Sequence, residues 1–398
     1  LINLLVFLTN MGLPIFMVFP IILNSNTTPF IVLMRFFILG ISILLFVFPY
    51  SASIKQGKAP LAFWAFIFFW MVYLTRVVFD LFIFPITIHS QNVDTTKILS
   101  FAFFMCFLPV VAIYRNREFI DYSYISEKFI YWLFFESVVV ILLLIFHFKT
   151  QFFGVFGNRS LITHGETTFP LNPIAISRIG ASLSLAAVYM YSVLKSFGGL
   201  KFLVFLSIGI VLMLIGGSRG PLISLLFVLS ILSLKWMWNF KYYLVILSII
   251  ISLYLISLQF DLFELDIVYR FWNLSNNEGF DRAGHWNSAI NQFLNHPILG
   301  DKIFDDYLGS YPHNLLFEIL MSVGLIGFGL FMLFFVPVIV RIINELLVPS
   351  SQLGLLSLMC ILHFIFSLSS SSIYYSVELW GLMGLILFAP KIIESKNN

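Results

Sequence analysis

The stretch FIYWLFFESVVVILLLIFHF (residues 129–148) decides the fold class. It holds one acidic residue, Glu136, and otherwise runs apolar for the roughly 20 residues that cross a bilayer as a helix. Comparable runs lie near 3–23, 30–50, 61–84, 98–114, 172–194, 202–216, 220–236, 242–260, 314–340, 353–369 and 373–390. Twelve such helices take about 240 positions, or about 60% of the chain, and 60% of the 398 residues are hydrophobic. Only 10% are charged, against about 25% in soluble proteins. The pattern excludes a soluble enzyme and a secreted disulfide scaffold. An outer-membrane barrel is excluded too, since its strands alternate apolar and polar residues. The expected fold is an all-α, polytopic inner-membrane bundle of about 12 transmembrane helices. Residues 1–260 carry helices 1–9, with a shorter outer loop near 149–171. Residues 261–312 form one large outer loop, and 313–398 carry helices 10–12.

The net charge of +3 is too small for nucleic-acid binding as the main task. Cys106 and Cys360 sit inside apolar runs and read as small core residues, with neither disulfide nor metal spacing. No metal and no cofactor is expected. Residues 1–23 lack a basic n-region and a cleavage site, and read as a retained helix.

Lys and Arg set the orientation. With both termini cytoplasmic, 12 of the 22 basic residues fall inside, and nine of those 12 are Lys. The other 10 include seven Arg: Arg35, Arg76, Arg159, Arg178, Arg219, Arg270 and Arg282. Arg grips phosphate with a planar fork. An outward excess of Arg points to an anionic ligand on the outer side, such as a lipid pyrophosphate. The competing reading is pairing with Asp80, Glu136, Glu318 or Glu378, with snorkelling to headgroups.

Gly216-Gly217-Ser218-Arg219-Gly220-Pro221 separates two spans. The glycines permit a bend, and Pro221 suits a first helical turn. Arg219 then stands at a helix N-terminus, where backbone N–H groups favour anions; a plain tight turn with an interfacial Arg explains the string equally. Ser177-Arg178 follows Asn172-Pro173 at another outer entrance. In the large loop, Asp281-Arg282 opens a helical pattern in which Ala283, Trp286, Ile290, Phe293 and Leu294 recur on one face. It reads as an amphipathic helix on the membrane surface or capping the bundle. It stops at His296-Pro297-Ile298-Leu299-Gly300. His285 and His296 read as polar-face or turn residues. The sharpest string is Tyr311-Pro312-His313-Asn314, followed by an apolar helix with Glu318, Gly324 and Gly327. His313 at the mouth of a helix suits proton acceptance, or His313-Asn314 merely cap the helix. Glu318 needs a partner. Gly324 and Gly327 would admit a neighbouring helix.

These strings resemble the O-antigen ligase and polymerase superfamily of bacterial inner-membrane proteins. The ligase signature is His, then Asn/Ser/Gln, nine residues, Gly, two residues, then Gly/Thr/Tyr. Here it reads His313-Asn314, Leu315 to Val323, Gly324, Leu325-Ile326, Gly327. Ser218-Arg219, Asp281-Arg282 and the turn from His296 to Gly300 also fit the superfamily. The resemblance covers about residues 171–330. It implies metal-independent, inverting glycosyl transfer on the periplasmic side, from a glycan on undecaprenyl pyrophosphate. His313, Arg219 and Arg282 would be catalytic. Arg178, Arg270, Asn314 and Glu318 would bind substrate, Asn314 and Glu318 by holding His313. The implied partners are the lipid-linked donor and acceptor and membrane lipids, with room for a chain-length regulator and none for nucleic acid. The Asn172 to Arg178 entrance and the Phe-rich composition lean toward an O-antigen polymerase. A ligase transferring the glycan to lipid A-core is the alternative. A flippase for the same lipid needs a polar path through the membrane, and the charges here gather toward one side.

Overall fold

The computed structural model describes residues 1–18, 28–48, 60–83, 95–149, 171–236, 278–348, 351 and 353–390. Among them the chain is all-helical, with no strands. Among the described residues seven helices are long and apolar enough to cross a membrane, and three shorter apolar helices accompany them. The protein is a multi-pass helical membrane protein. Every expected span except the ninth falls on a helix; the ninth, 242–260, lies outside the described residues. The loop 149–171 and the first part of the large loop, 261–277, likewise lie almost entirely outside them.

The helices are α1 (Ile2–Phe16), α2 (Thr28–Val47), α3 (Leu61–Val78), α4 (Thr95–Ser100), α5 (Leu108–Arg115), α6 (Tyr122–Phe148), α7 (Pro173–Ser192), α8 (Gly199–Gly216), α9 (Arg219–Trp236), α10 (Glu278–Asn295), α11 (Leu315–Leu347), α12 (Gly354–Ser370) and α13 (Val377–Phe388). A π-helical turn, Phe79–Ile83, extends α3, and another, Phe101–Phe107, joins α4 to α5. The chain forms two compact units. One holds residues 1–12, 32–128 and 281–398; the other holds 13–31 and 129–280.

In the first unit α3 packs along α11. Phe66, Phe69, Trp70 and Tyr73 of α3 are buried against Phe331 and Phe334 of α11 and Trp380 of α13. Trp70 and Trp380 meet edge to face at 5.0 Å, a geometry that aromatic quadrupoles favour. Trp380 Nε1 donates to the Ile373 carbonyl at 2.8 Å, so its polar edge is satisfied inside the core. The Phe content divides as composition implies. Phe36, Phe37, Phe68 and Phe82 point outward while Phe66 and Phe331 fill the core.

In the second unit α7 and α8 lie in close backbone contact. A Cβ on Gly180 would meet the backbone at Gly209, and one on Gly216 would meet Ser177 and the Pro173 carbonyl. Small residues at such a crossing let helices associate where lipid provides no hydrophobic drive. Leu144, Ile176, Leu212 and Ile215 form the apolar part of this core.

Candidate functional site

The second unit positions Arg178 and Arg219. Asn172 caps α7, its side chain accepting from Ala175 N at 2.8 Å, and Pro173 starts the helix. Gly217 takes φ +54, ending α8 in the left-handed conformation that glycine adopts without a Cβ penalty. The chain turns at once into α9, whose first residue is Arg219. Ser177 Oγ accepts from Ser218 N at 3.1 Å and donates to the Met213 carbonyl at 3.3 Å. Arg178 and Arg219 are the residues following this bonded pair. They lie at the same end of the α7–α8 pair, each partly buried. The expectation of an Arg at a helix N-terminus is met. Arg159 and Arg270 lie outside the described residues.

The first unit positions Arg282 and His313. Asn314 is the N-cap of α11. Its Oδ1 accepts from Leu316 N at 3.0 Å and Phe317 N at 3.2 Å, and its Nδ2 donates to the Leu368 carbonyl at 2.9 Å. Asn314 therefore caps α11 and ties it to α12. His313 precedes the cap in the left-handed region, φ +55. That conformation is uncommon for a residue with a Cβ. Its ring lies 4.4 Å from Tyr311 and 5.7 Å from His285. Burial and the Arg282 guanidinium lower its pKa to about 4, with His285 adding to the effect and Asp305 opposing it. Burial pushes the neighbouring Tyr311 phenol up.

His285 is the residue that sequence reasoning set aside. It is 5% exposed, and its Nδ1 lies 2.7 Å from Asp305 Oδ2. Asp305 is itself anchored, its other oxygen accepting from Tyr307 N at 2.9 Å and Leu308 N at 3.1 Å. His296, by contrast, is a turn residue with 59% of its side chain exposed.

Glu318 is fully buried, and its Oε2 accepts from Ile373 N at 3.0 Å, with Tyr73 beside it. It fastens the link between α12 and α13, which begins where Ser371 leaves the helix. Two of the Arg residues that the sequence reading assigned to the outer side have structural work. Arg76 donates to the Leu299 and Gly300 carbonyls at 3.2 and 3.1 Å and lies 3.6 Å from Asp80. The Asp80 carboxylate accepts from Ile303 N at 2.9 Å. Arg35 lies over the Phe101 ring at 4.0 Å and donates to Ser100 at 3.3 Å. Pairing thus accounts for Arg76, as the competing reading had it, and ring stacking for Arg35.

The signature glycine has a different task from the one expected. Gly324 takes φ +61 and ψ −161 and breaks α11. Into the break comes a turn, not a helix. Leu325 N donates to the Pro297 carbonyl at 2.8 Å, Ile326 N to Ile298 at 3.2 Å, and Asp301 N to Met321 at 2.7 Å. Gly300, at φ +73, faces the same break. The turn from His296 to Gly300 and the glycine of the signature are two halves of one joint. It fixes α10, and with it Arg282 and His285, against the helix that carries His313. Gly327 is packed against Val323 of its own helix.

A pH test follows from His313. Its pKa is lowered on folding from 6.5 to about 4, so between those values the unfolded chain takes up a proton that the folded chain refuses. Stability contributed by the neutral imidazole is present above about pH 6.5 and is lost as pH falls toward 4, on the order of 3 kcal/mol at full extent. The thermal midpoint of the wild type in detergent is expected to fall more steeply between pH 7 and pH 4.5 than that of His313→Asn. Parallel curves would contradict this assignment.

No family model matches the chain, and no curated protein matches it.

Proposed function

We propose that the protein is a glycosyltransferase of bacterial surface-polysaccharide assembly, polymerising O-antigen repeat units carried on undecaprenyl pyrophosphate at the periplasmic face. The observation that carries the reading is the clustering of Arg282, His285, Asp305, Tyr311 and His313 at the capped mouth of a broken membrane helix.

In the proposed step an acceptor hydroxyl attacks the anomeric carbon from the face opposite the pyrophosphate. The new C–O bond forms as the bond to the phosphate oxygen breaks, and the pyrophosphate departs with the electron pair. The hydroxyl proton passes to His313. Charge grows mainly on the leaving group, so fixed cations are the largest source of stabilisation. Arg282, whose guanidinium acts on His313, is the cation of this cluster that would meet that charge.

A pKa near 4 makes His313 a weak base in the empty site. An anionic pyrophosphate on Arg282 cancels the charge that helps hold that pKa down, and raises His313 toward the range where a base is effective. Substrate binding thereby activates the base. His285, held by Asp305, walls His313 on one side and Tyr311 on the other.

The test is the lipopolysaccharide profile of a strain lacking the protein, with lipid-linked intermediates extracted alongside. Core bearing one repeat unit and no ladder is the expected result. Bare core with long glycan retained on its carrier would replace polymerase by ligase. An unaltered ladder would overturn both.

A further inference from the structure

The flank of α10 beside the cluster carries a groove that the transfer step does not use. It has a volume of about 410 Å³ and is lined by Asn287, Asn291, Asn295, Ser288, Tyr307 and Asp306, among others. Three asparagines recur at intervals of four residues, which places them on one helical face about 6 Å apart along the axis. They are exposed, and their side chains make no hydrogen bond among the described residues. The floor beneath them is fixed. Asp306 N donates to Ser288 Oγ at 3.0 Å and to Gln292 Oε1 at 3.2 Å, and Gln292 Nε2 donates to Asp301 and the Phe304 carbonyl. An array of unspent amides thus stands on a rigid base.

The groove is close to neutral. Its one charged liner, Asp306, is paired with Lys302 at 2.8 Å. Among the described residues no cation lines it, so it suits an uncharged ligand better than the pyrophosphate. Side-chain amides offer donors and acceptors side by side, which matches the vicinal hydroxyls of an uncharged sugar. Tyr307 supplies an aromatic wall, with 47% of the residue exposed. Its ring lies flat on the helix because Gly284 has no Cβ; an added one would stand 2.6 Å from the ring. The centroid of the same ring lies 5.3 Å from that of His285, with the two rings nearly perpendicular. A saccharide on the Asn face therefore leads by way of Tyr307 to the His285–His313 pair.

We infer that this groove is a subsite for the neutral glycan portion of a substrate, read by Asn287, Asn291 and Asn295 and stacked on Tyr307. The inference rests on the glycosyltransferase reading and specifies where that enzyme holds its sugars.

The test uses the full chain in nanodiscs. The probes are single-repeat lipid-linked oligosaccharide from the deletion strain, lipid A-core, and their sugar-free counterparts undecaprenyl pyrophosphate and lipid A. The wild type is expected to bind at least one glycosylated probe more tightly than its sugar-free counterpart. Asn287→Ala/Asn291→Ala is expected to lose tenfold or more of that affinity while binding undecaprenyl pyrophosphate as the wild type does. Tyr307→Ala is expected to act likewise, and Tyr307→Phe to restore binding. Loss confined to the lipid-linked oligosaccharide places that glycan in the groove; loss confined to lipid A-core places the core sugars there. Undiminished binding of both by the double variant, with the wild-type preference intact, would overturn the groove and leave the transferase reading standing. A wild type with no preference for either glycosylated probe would overturn the transferase reading itself, and the groove with it.

Discussion

His313→Asn is expected to lose about 10²–10⁴-fold in glycosyl transfer, the range a positioned acid or base supplies, with the protein still present in membranes at the wild-type level. Asn is the informative replacement because the position is left-handed, φ +55, and Asn tolerates that conformation where Ala is strained. Asn can also accept a hydrogen bond from an acceptor hydroxyl, but it cannot take the proton. A loss in turnover with acceptor KM unchanged would identify proton transfer. A loss carried by KM would reduce His313 to an orienting group. Arg282→Ala, at one turn's distance from His285 on α10, is expected to cost about 10²–10³-fold, as for removal of one charge-stabilising donor. The two effects are not expected to add. Arg282 adds to burial in lowering the pKa of His313, and groups acting as one unit fail together. A double variant near the poorer single variant supports one shared step, whereas full multiplication of the two losses would assign them to separate steps.

What was legible in the sequence was the bundle, its apolar periods and the residues that stand at helix ends. Arg219 at the start of α9 followed from two glycines and a proline. Asn314 as an N-cap followed from its place before an apolar run. What was not legible depended on pairing across sequence. His285 and Asp305 are 20 residues apart, and their bond exists because the 305–310 turn folds back on α10, with Asp305 N donating to the Ser310 carbonyl at 2.8 Å. No spacing rule encodes that. The amphipathic helix α10 was legible as a helix on the membrane surface or capping the bundle, but which residues it buries was not. In a soluble protein the apolar stripe turns inward. Here Ile290 and Leu294 are exposed, with Ile298 and Leu299 of the following turn beside them, while His285, Ala289 and Gln292 are buried. The helix buries only the flank with His285, Ala289 and Gln292, and leaves both the apolar stripe and the Asn287, Asn291 and Asn295 flank exposed, which suits a surface helix on a membrane. The Arg residues were legible as a class. Which of them bind backbone, as Arg76 does, required the turn at Leu299 and Gly300 to be in place.

Gly324→Ala is expected to remove the protein from the membrane fraction, or to leave it as an aggregate on size exclusion. The backbone there, at φ +61 and ψ −161, belongs to a region that only glycine occupies readily, and holding another residue in it costs about 1–3 kcal/mol. The space is closed as well. An added Cβ would stand 2.5 Å from Gly300 N and 2.5 Å from the Ile298 carbonyl oxygen. Both are backbone atoms of the turn inserted in the break, so neither can swing aside as a flexible side chain does. Relief requires the turn to withdraw, and withdrawal breaks the bonds from Leu325 and Ile326 to Pro297 and Ile298. Those carbonyls and N–H groups would then be left without partners next to lipid, where each unsatisfied group is expensive. The sum exceeds about 3 kcal/mol, a large share of a stability of roughly 5–15 kcal/mol. Gly329→Ala is the control. It lies five residues along the same helix, and an added Cβ there meets nothing within 4 Å. Ala favours the helix by about 0.5–1 kcal/mol over Gly, so this variant is expected to accumulate at or above the wild-type level. Equal accumulation of both variants would mean that the joint between the turn and α11 does not hold the fold, and that the signature glycine is retained for a reason outside this packing.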